Sequence, residues 1–149
     1  MQPAMSSKGR RILSAIALLA VAGAAVSSVS LYHHYNTSPS SFCDFGATFN
    51  CDMVNRSIYS AVFGIPVALI GILGYGVLLV LATLYRVKTE TPLILLVASL
   101  TGLGFALYLM YVEAFVLAVW CILCLSSLTL IAAITVLSSV LVAQRMHKV

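Results

Sequence analysis

Charge is what this chain has least of. Asp, Glu, Lys and Arg make up 8% of its 149 residues, only four of them acidic, while 62% are apolar. Soluble domains carry about a quarter charged residues, so a water-facing surface cannot be built from this composition. Period-two alternation over enough segments for a membrane barrel is missing as well. There is no phosphate-binding glycine loop, dinucleotide fingerprint or metal-ligating triad. No internal repeat supports an inverted-repeat transporter.

What the chain does have is long apolar runs, with a mean hydropathy of +1.09. Four stretches stand out, at about 12–32, 61–85, 93–114 and 121–143. Each approaches or exceeds the roughly 20 residues that cross about 30 Å of hydrocarbon at 1.5 Å per residue. Lipid offers no hydrogen-bond partner to an open backbone, so such segments are helical. The sequence therefore predicts an all-α membrane protein: one domain over 1–149, a four-transmembrane-helix bundle.

The basic residues orient it. Lys8, Arg10 and Arg11 precede the first span, Arg86 and Lys88 follow the second, and Arg145 and Lys148 follow the fourth. Four crossings put these seven on one side and leave Arg56 on the other. By the positive-inside rule the richer side is cytoplasmic, with both termini, in a multi-pass protein of the cell membrane. The +4 net charge is thereby explained without nucleic acid. A second reading of the first span exists: Lys8 to Arg11, an apolar run and Ala22-Gly23-Ala24 also resemble a cleavable signal peptide. Against it, apolar and small residues continue to Leu31. Either way the segment 33–60 faces outward.

That outer segment carries the polar chemistry. Cys43 and Cys51 lie in it, flanked by Asp44 and Asp52, for which solvent-facing or helix-capping roles are expected. Phe42, Phe45 and Phe49 recur at the spacing of one helical face, which predicts a short amphipathic helix on the membrane surface. The plainer reading is a loop whose aromatics sit in the interface. Cys121 and Cys124 are three apart, neighbours on one helical face at the outer start of the fourth span. Unpaired N–H groups and the helix dipole there favour a thiolate, while apolar surroundings oppose it. Two inert structural disulfides or one zinc site are the alternatives, although a Cys-x-x-Cys bridge within a helix constrains little and the loop pair is eight apart. Leu125 stands where a c-type haem would need His. A Cys-x-x-Cys beside a second pair on the oxidising side of a membrane favours thiol–disulfide exchange.

These residues carry a resemblance. Cys43 and Cys51, Ser57, the run Phe63-Gly64-Ile65-Pro66, Tyr108-Leu109-Met110-Tyr111 and Cys121-Ile122-Leu123-Cys124 follow in the order of the vitamin K epoxide reductase family, and the run at 63–66 resembles its bacterial and archaeal branch. The resemblance covers nearly the whole chain. It implies that Cys43 receives two electrons from a thioredoxin-like extracytoplasmic protein, here a separate one. Cys51 then attacks Cys121 to form a transient bond, and Cys124 is freed to reduce a quinone such as menaquinone or ubiquinone. The product of that flow is disulfide formation in exported proteins.

A quinone pocket should be apolar with a few polar fixings. Ser57, Tyr59, Ser60, Phe63 and Tyr111 lie near the outer span ends and are its candidate residues; Ser60 stands about where vertebrate members use Asn for the quinone oxygen. For the aromatics, helix packing or an interface belt is an equal reading, and Trp120 reads as an interface anchor. Glu113 reads either as a proton-carrying group or as a rim carboxylate snorkelling to water. His33 and His34 sit at the outer boundary, where a metal role is a marginal alternative. Gly71, Gly74, Gly76, Gly102 and Gly104 offer small faces for helix contact. The alternatives to a quinone-dependent thiol–disulfide oxidoreductase are a quinone-epoxide reductase using the same thiols, and a non-catalytic membrane subunit with structural disulfides.

Overall fold

A computed structural model describes residues 6–36, 44–84 and 91–148. Four helices are long and apolar enough to cross a membrane, each with a mean hydropathy of at least 2.2. Helix α1 (Ser7–Tyr35) starts on Ser6, whose side chain accepts from the Gly9 N–H at 3.2 Å and satisfies one orphan donor of the first turn. A five-residue helix α2 (Cys51–Asn55) follows, capped by the Asn50 side chain on the Met53 N–H. The remaining helices are α3 (Val67–Leu84), α4 (Thr91–Tyr111), which runs on into a π-helical stretch at Val112–Leu117, and α5 (Ile122–Met146).

The long helices close a ring in which α1 packs on α3 and α5, and α4 packs on α5 and α3. Leu13, Ile16 and Ala20 of α1 meet Tyr75, Leu78 and Ala82 of α3, Leu95 of α4 and Ile131, Ile134 and Leu141 of α5 in one core. Large apolar side chains such as Leu18, Leu73 and Val136 stay exposed on the outside, as expected where the surrounding solvent is lipid. The all-α membrane bundle expected from the sequence is the fold observed.

Close helix approach rests on fewer glycines than the sequence suggested, and on one it did not. A Cβ on Gly71 would meet Ser27 Oγ at 2.7 Å, and one on Gly102 would meet Ile131 at 3.2 Å. Gly74, Gly76 and Gly104 have nothing within 4 Å of that point, so they open space instead of making contact. The tightest position is Gly23, where a Cβ would fall 2.2 Å from the Tyr75 ring. The ring crosses α1 there and its hydroxyl reaches Ser127 of α5, donating to the backbone oxygen or sharing a bond with Oγ, both at 2.9 Å.

Two segments between α1 and α3 differ from expectation. Residues 44–50 form an antiparallel hairpin, β1 (Asp44–Phe45) and β2 (Phe49–Asn50), with Phe45 opposite Phe49. The four-residue step read as a helical face is here a cross-strand pair over a three-residue turn, and Gly46 at φ +81° lets the chain reverse. The short helix of the outer segment is α2, directly after the hairpin. Residues 61–66, apolar enough to read as the start of the second span, form a second hairpin, β3 (Ala61–Val62) and β4 (Ile65–Pro66). Its central residues Phe63 and Gly64 both have positive φ, as a type I′ turn requires. The span begins only at Val67, after Pro66.

Candidate functional site

The first hairpin brings two of the cysteine-bearing segments together. Strand β2 lies parallel to the segment before α5: Phe49 bridges Trp120, the Trp120 N–H donates to Thr48 O at 2.9 Å, and the Asn50 N–H donates to Trp120 O at 3.1 Å. Cys51 follows that bridge on one chain and Cys121 on the other. Both are fully buried, in a small core with Val54 and Val119, and Leu123 and Cys124 pack against it. Cys51, Cys121 and Cys124 are thiols, with Cys121 sharing hydrogen bonds with both of the others. The bond to Cys124 is the main reason that the Cys121 thiol lies well above its ordinary range; the bond to Cys51 works against this and burial adds to it. Trp120, read as an interface anchor, serves through its backbone as the rail that aligns the pair. Cys43 lies outside the described residues.

The link from α4 to α5 places a carboxyl at the same spot. In the π-helical stretch the extra residue per turn shifts the register. Ala118 then takes a left-handed φ of +53°, and the Val119 N–H donates to Glu113 O at 3.2 Å. The chain folds back so that Glu113 Oε2 accepts from the Cys121 N–H at 3.1 Å, holding a backbone donor at the start of α5. Glu113 is 2% exposed. It is therefore no snorkelling rim carboxylate. Its other oxygen, Oε1, is buried with no hydrogen-bond partner, and the Cys124 side chain lies against the carboxyl.

A cavity of about 560 Å³ opens beside these groups. Cys124, Glu113, Ser30, His34, Asn55, Ser57, Tyr59 and Ser60 line it, together with apolar side chains of α3 and α4. Three of the residues expected from the sequence, Ser57, Tyr59 and Ser60, thus stand on its wall. The two serines spend their hydroxyls locally: Ser57 Oγ donates to Val54 O at 2.8 Å and Ser60 Oγ to Ser57 O at 2.7 Å. Phe63 and Tyr111 are not on the wall. Phe63 is fully exposed at its hairpin turn, and Tyr111 faces outward against Phe115, ring centroids 5.1 Å apart.

The residue that sequence reasoning missed is Asn55, the last of α2. It is 7% exposed; its Oδ1 accepts from Ser30 Oγ at 2.7 Å, and its backbone oxygen meets His34 Nδ1 at 2.5 Å. Its Nδ2 has no partner. An unsatisfied buried donor costs about 1–3 kcal/mol, so a free amide N–H2 on a residue that lines the cavity is suited to a ligand acceptor. The neighbouring histidines serve as supports: His34 as above, with Ser60 Oγ at 3.4 Å, and His33 beside Asp52 at 3.8 Å. Asp52, expected to face solvent or cap a helix, sits in the first turn of α2 and takes part in that contact.

Three thiols in a row, a buried carboxyl and an apolar cavity with one idle amide suit redox chemistry on a flat, lipid-soluble carbonyl compound. The family model of the vitamin K epoxide reductase family matches residues 14–139, a span that contains most of each long helix and every described residue of this site.

Proposed function

The chain belongs to the vitamin K epoxide reductase family, a membrane redox family, and from that premise we propose that it passes electrons from an extracytoplasmic dithiol protein to a quinone. The observation that carries this reading is the placement of Cys51 against Cys121 with Cys124 on the cavity wall. Electrons enter from a thioredoxin-like dithiol at Cys43 and move to Cys51. The Cys51 thiolate attacks Cys121 Sγ of the Cys121–Cys124 disulfide, and Cys124 leaves as a thiolate; Cys43 then attacks Cys51 Sγ, which closes Cys43–Cys51 and releases Cys121. Geometry favours that sulfur, since Cys121 is the buried neighbour of Cys51.

The cavity residues fit a quinone. The apolar walls suit the ring and tail, and the idle Asn55 Nδ2 donates to one carbonyl oxygen, with Ser57, Tyr59 and Ser60 shaping the same end. A bound quinone supplies an acceptor for two electrons and two protons. Residues 33–60 and the start of α5 face the extracytoplasmic side, and the termini the cytoplasm.

Trapping the relay tests this. In Cys43→Ser/Cys124→Ser protein, oxidation should join Cys51 to Cys121 in nearly every molecule, seen as a linked peptide pair by mass spectrometry. Failure of the two to pair in folded protein would refute the relay.

A further inference from the structure

Glu113 is the one acidic side chain of the long helices, and nothing in the relay described above uses it. A carboxyl at 2% exposure is costly in an apolar setting unless it is paired or bonded. Among the described residues no salt bridge reaches it. One oxygen is spent on the Cys121 N–H; the other, Oε1, is buried without a partner, and Glu113 lines the cavity together with Cys124. The titratable group facing it is the Cys124 thiol of α5; Cys121 meets it through the backbone N–H. A structural cap needs one acceptor oxygen, and a serine, asparagine or glutamine would supply it. The second oxygen is what a cap leaves unexplained.

We infer that Glu113 is a catalytic acid–base residue that takes the Cys124 proton on Oε1 and returns it to the quinone oxygen. The inference rests on the quinone reading. The balance is complete: as the Cys121–Cys124 bond forms, two S–H bonds break and two electrons leave the sulfurs. The quinone takes both electrons and two protons to become hydroquinone. One proton travels from Cys124 Sγ through Glu113 Oε1, and the other comes from Cys121 Sγ, which is hydrogen-bonded to Cys124. Glu113 ends in the protonation state in which it began. Its Oε2 meanwhile keeps the start of α5 fixed, so the proton acceptor moves with the two sulfurs it serves.

The test is Glu113→Gln in the full-length, detergent-solubilised protein, with dithiothreitol as donor and menaquinone as acceptor. Glutamine keeps the cap through its carbonyl oxygen but cannot carry the proton. The expected result is a fall in kcat of about 100-fold, the usual scale of a lost acid–base group, with KM for quinone changed less than about threefold. The rate of Cys51–Cys121 exchange should stay at the wild-type value. Quinone reduction by Glu113→Gln within about threefold of wild type, too small for a lost proton carrier, would overturn the inference and leave the quinone reading standing. So would equal losses in thiol exchange and quinone reduction, which mark a cap alone. Absence of turnover in the wild type would remove the quinone reading and this inference together. Wild-type protein gives a second measurement should the variant fail to fold. The infrared difference spectrum between the dithiol and disulfide forms should contain a buried carboxyl band, and a spectrum with no carboxyl change would also overturn the assignment.

Discussion

Asn55 and Gly23 show how single positions set this site. Asn55 lines the cavity, holds Ser30 with its oxygen and leaves its buried nitrogen idle. Asn55→Leu keeps the volume and removes that donor. Loss of one hydrogen bond to a ligand oxygen predicts about a tenfold rise in KM for quinone. Exchange between Cys51 and Cys121 should be unchanged; steady-state kinetics with varied quinone checks both. Gly23 leaves room for the Tyr75 ring, which in turn ties α1 and α3 to Ser127 of α5. Gly23→Ala forces a methyl group to 2.2 Å from that ring. Overpacking of this kind costs about 1–3 kcal/mol, read as a lowered thermal midpoint in detergent. Gly23→Ala/Tyr75→Leu should recover part of the loss, the mark of a direct contact. The sequence displayed these residues unequally. Cysteine spacing is a chemical signature on its face. A polar Asn in a polar loop is not, because its worth lies in a cavity formed by helices far along the chain.

At the scale of elements, the two hairpins and the π-helical link are where sequence and structure part. Apolar composition at 61–66 suited a helix equally well, and only the Phe63-Gly64 turn stops it. The aromatic spacing at 42–49 was ambiguous for the same reason, because a step of four also spans a tight hairpin. The burial of Glu113 was illegible, since it depends on a register shift and a left-handed Ala118 that no periodicity announces. At the first hairpin and the π-helical link, the geometry that brings Cys51, Cys121 and Glu113 together outweighs local propensity. Two outcomes follow. Phe63→Asn puts the favoured residue into a type I′ turn on an exposed surface, so quinone reduction should stay within about twofold of wild type in steady-state assays. Gly46→Val strains the β1–β2 turn by about 1–2 kcal/mol and loosens the rail between Thr48, Asn50 and Trp120. It should slow Cys51–Cys121 exchange, followed by rapid quench and alkylation, while leaving the bundle's thermal midpoint nearly unchanged.

For the whole molecule, a ring of four apolar helices holds the three described cysteines at one end, beside a cavity of about 560 Å³. The four spans were legible because the length and composition demanded by a bilayer leave few alternatives. The positive-inside rule predicts its direction from the basic residues, with the termini in the cytoplasm. A reporter fused after Val149 should be active only in the cytoplasm, and an impermeant thiol reagent should reach Cys43 from outside in intact cells. The central claim, that the cysteine relay ends at Cys124 on a quinone, is tested most directly by anaerobic quinone reduction with dithiothreitol. The comparison is purified wild type against Cys124→Ser. Turnover by the wild type that vanishes in Cys124→Ser is the predicted result. Turnover that persists in the variant, or a folded wild type that reduces no quinone, would contradict it.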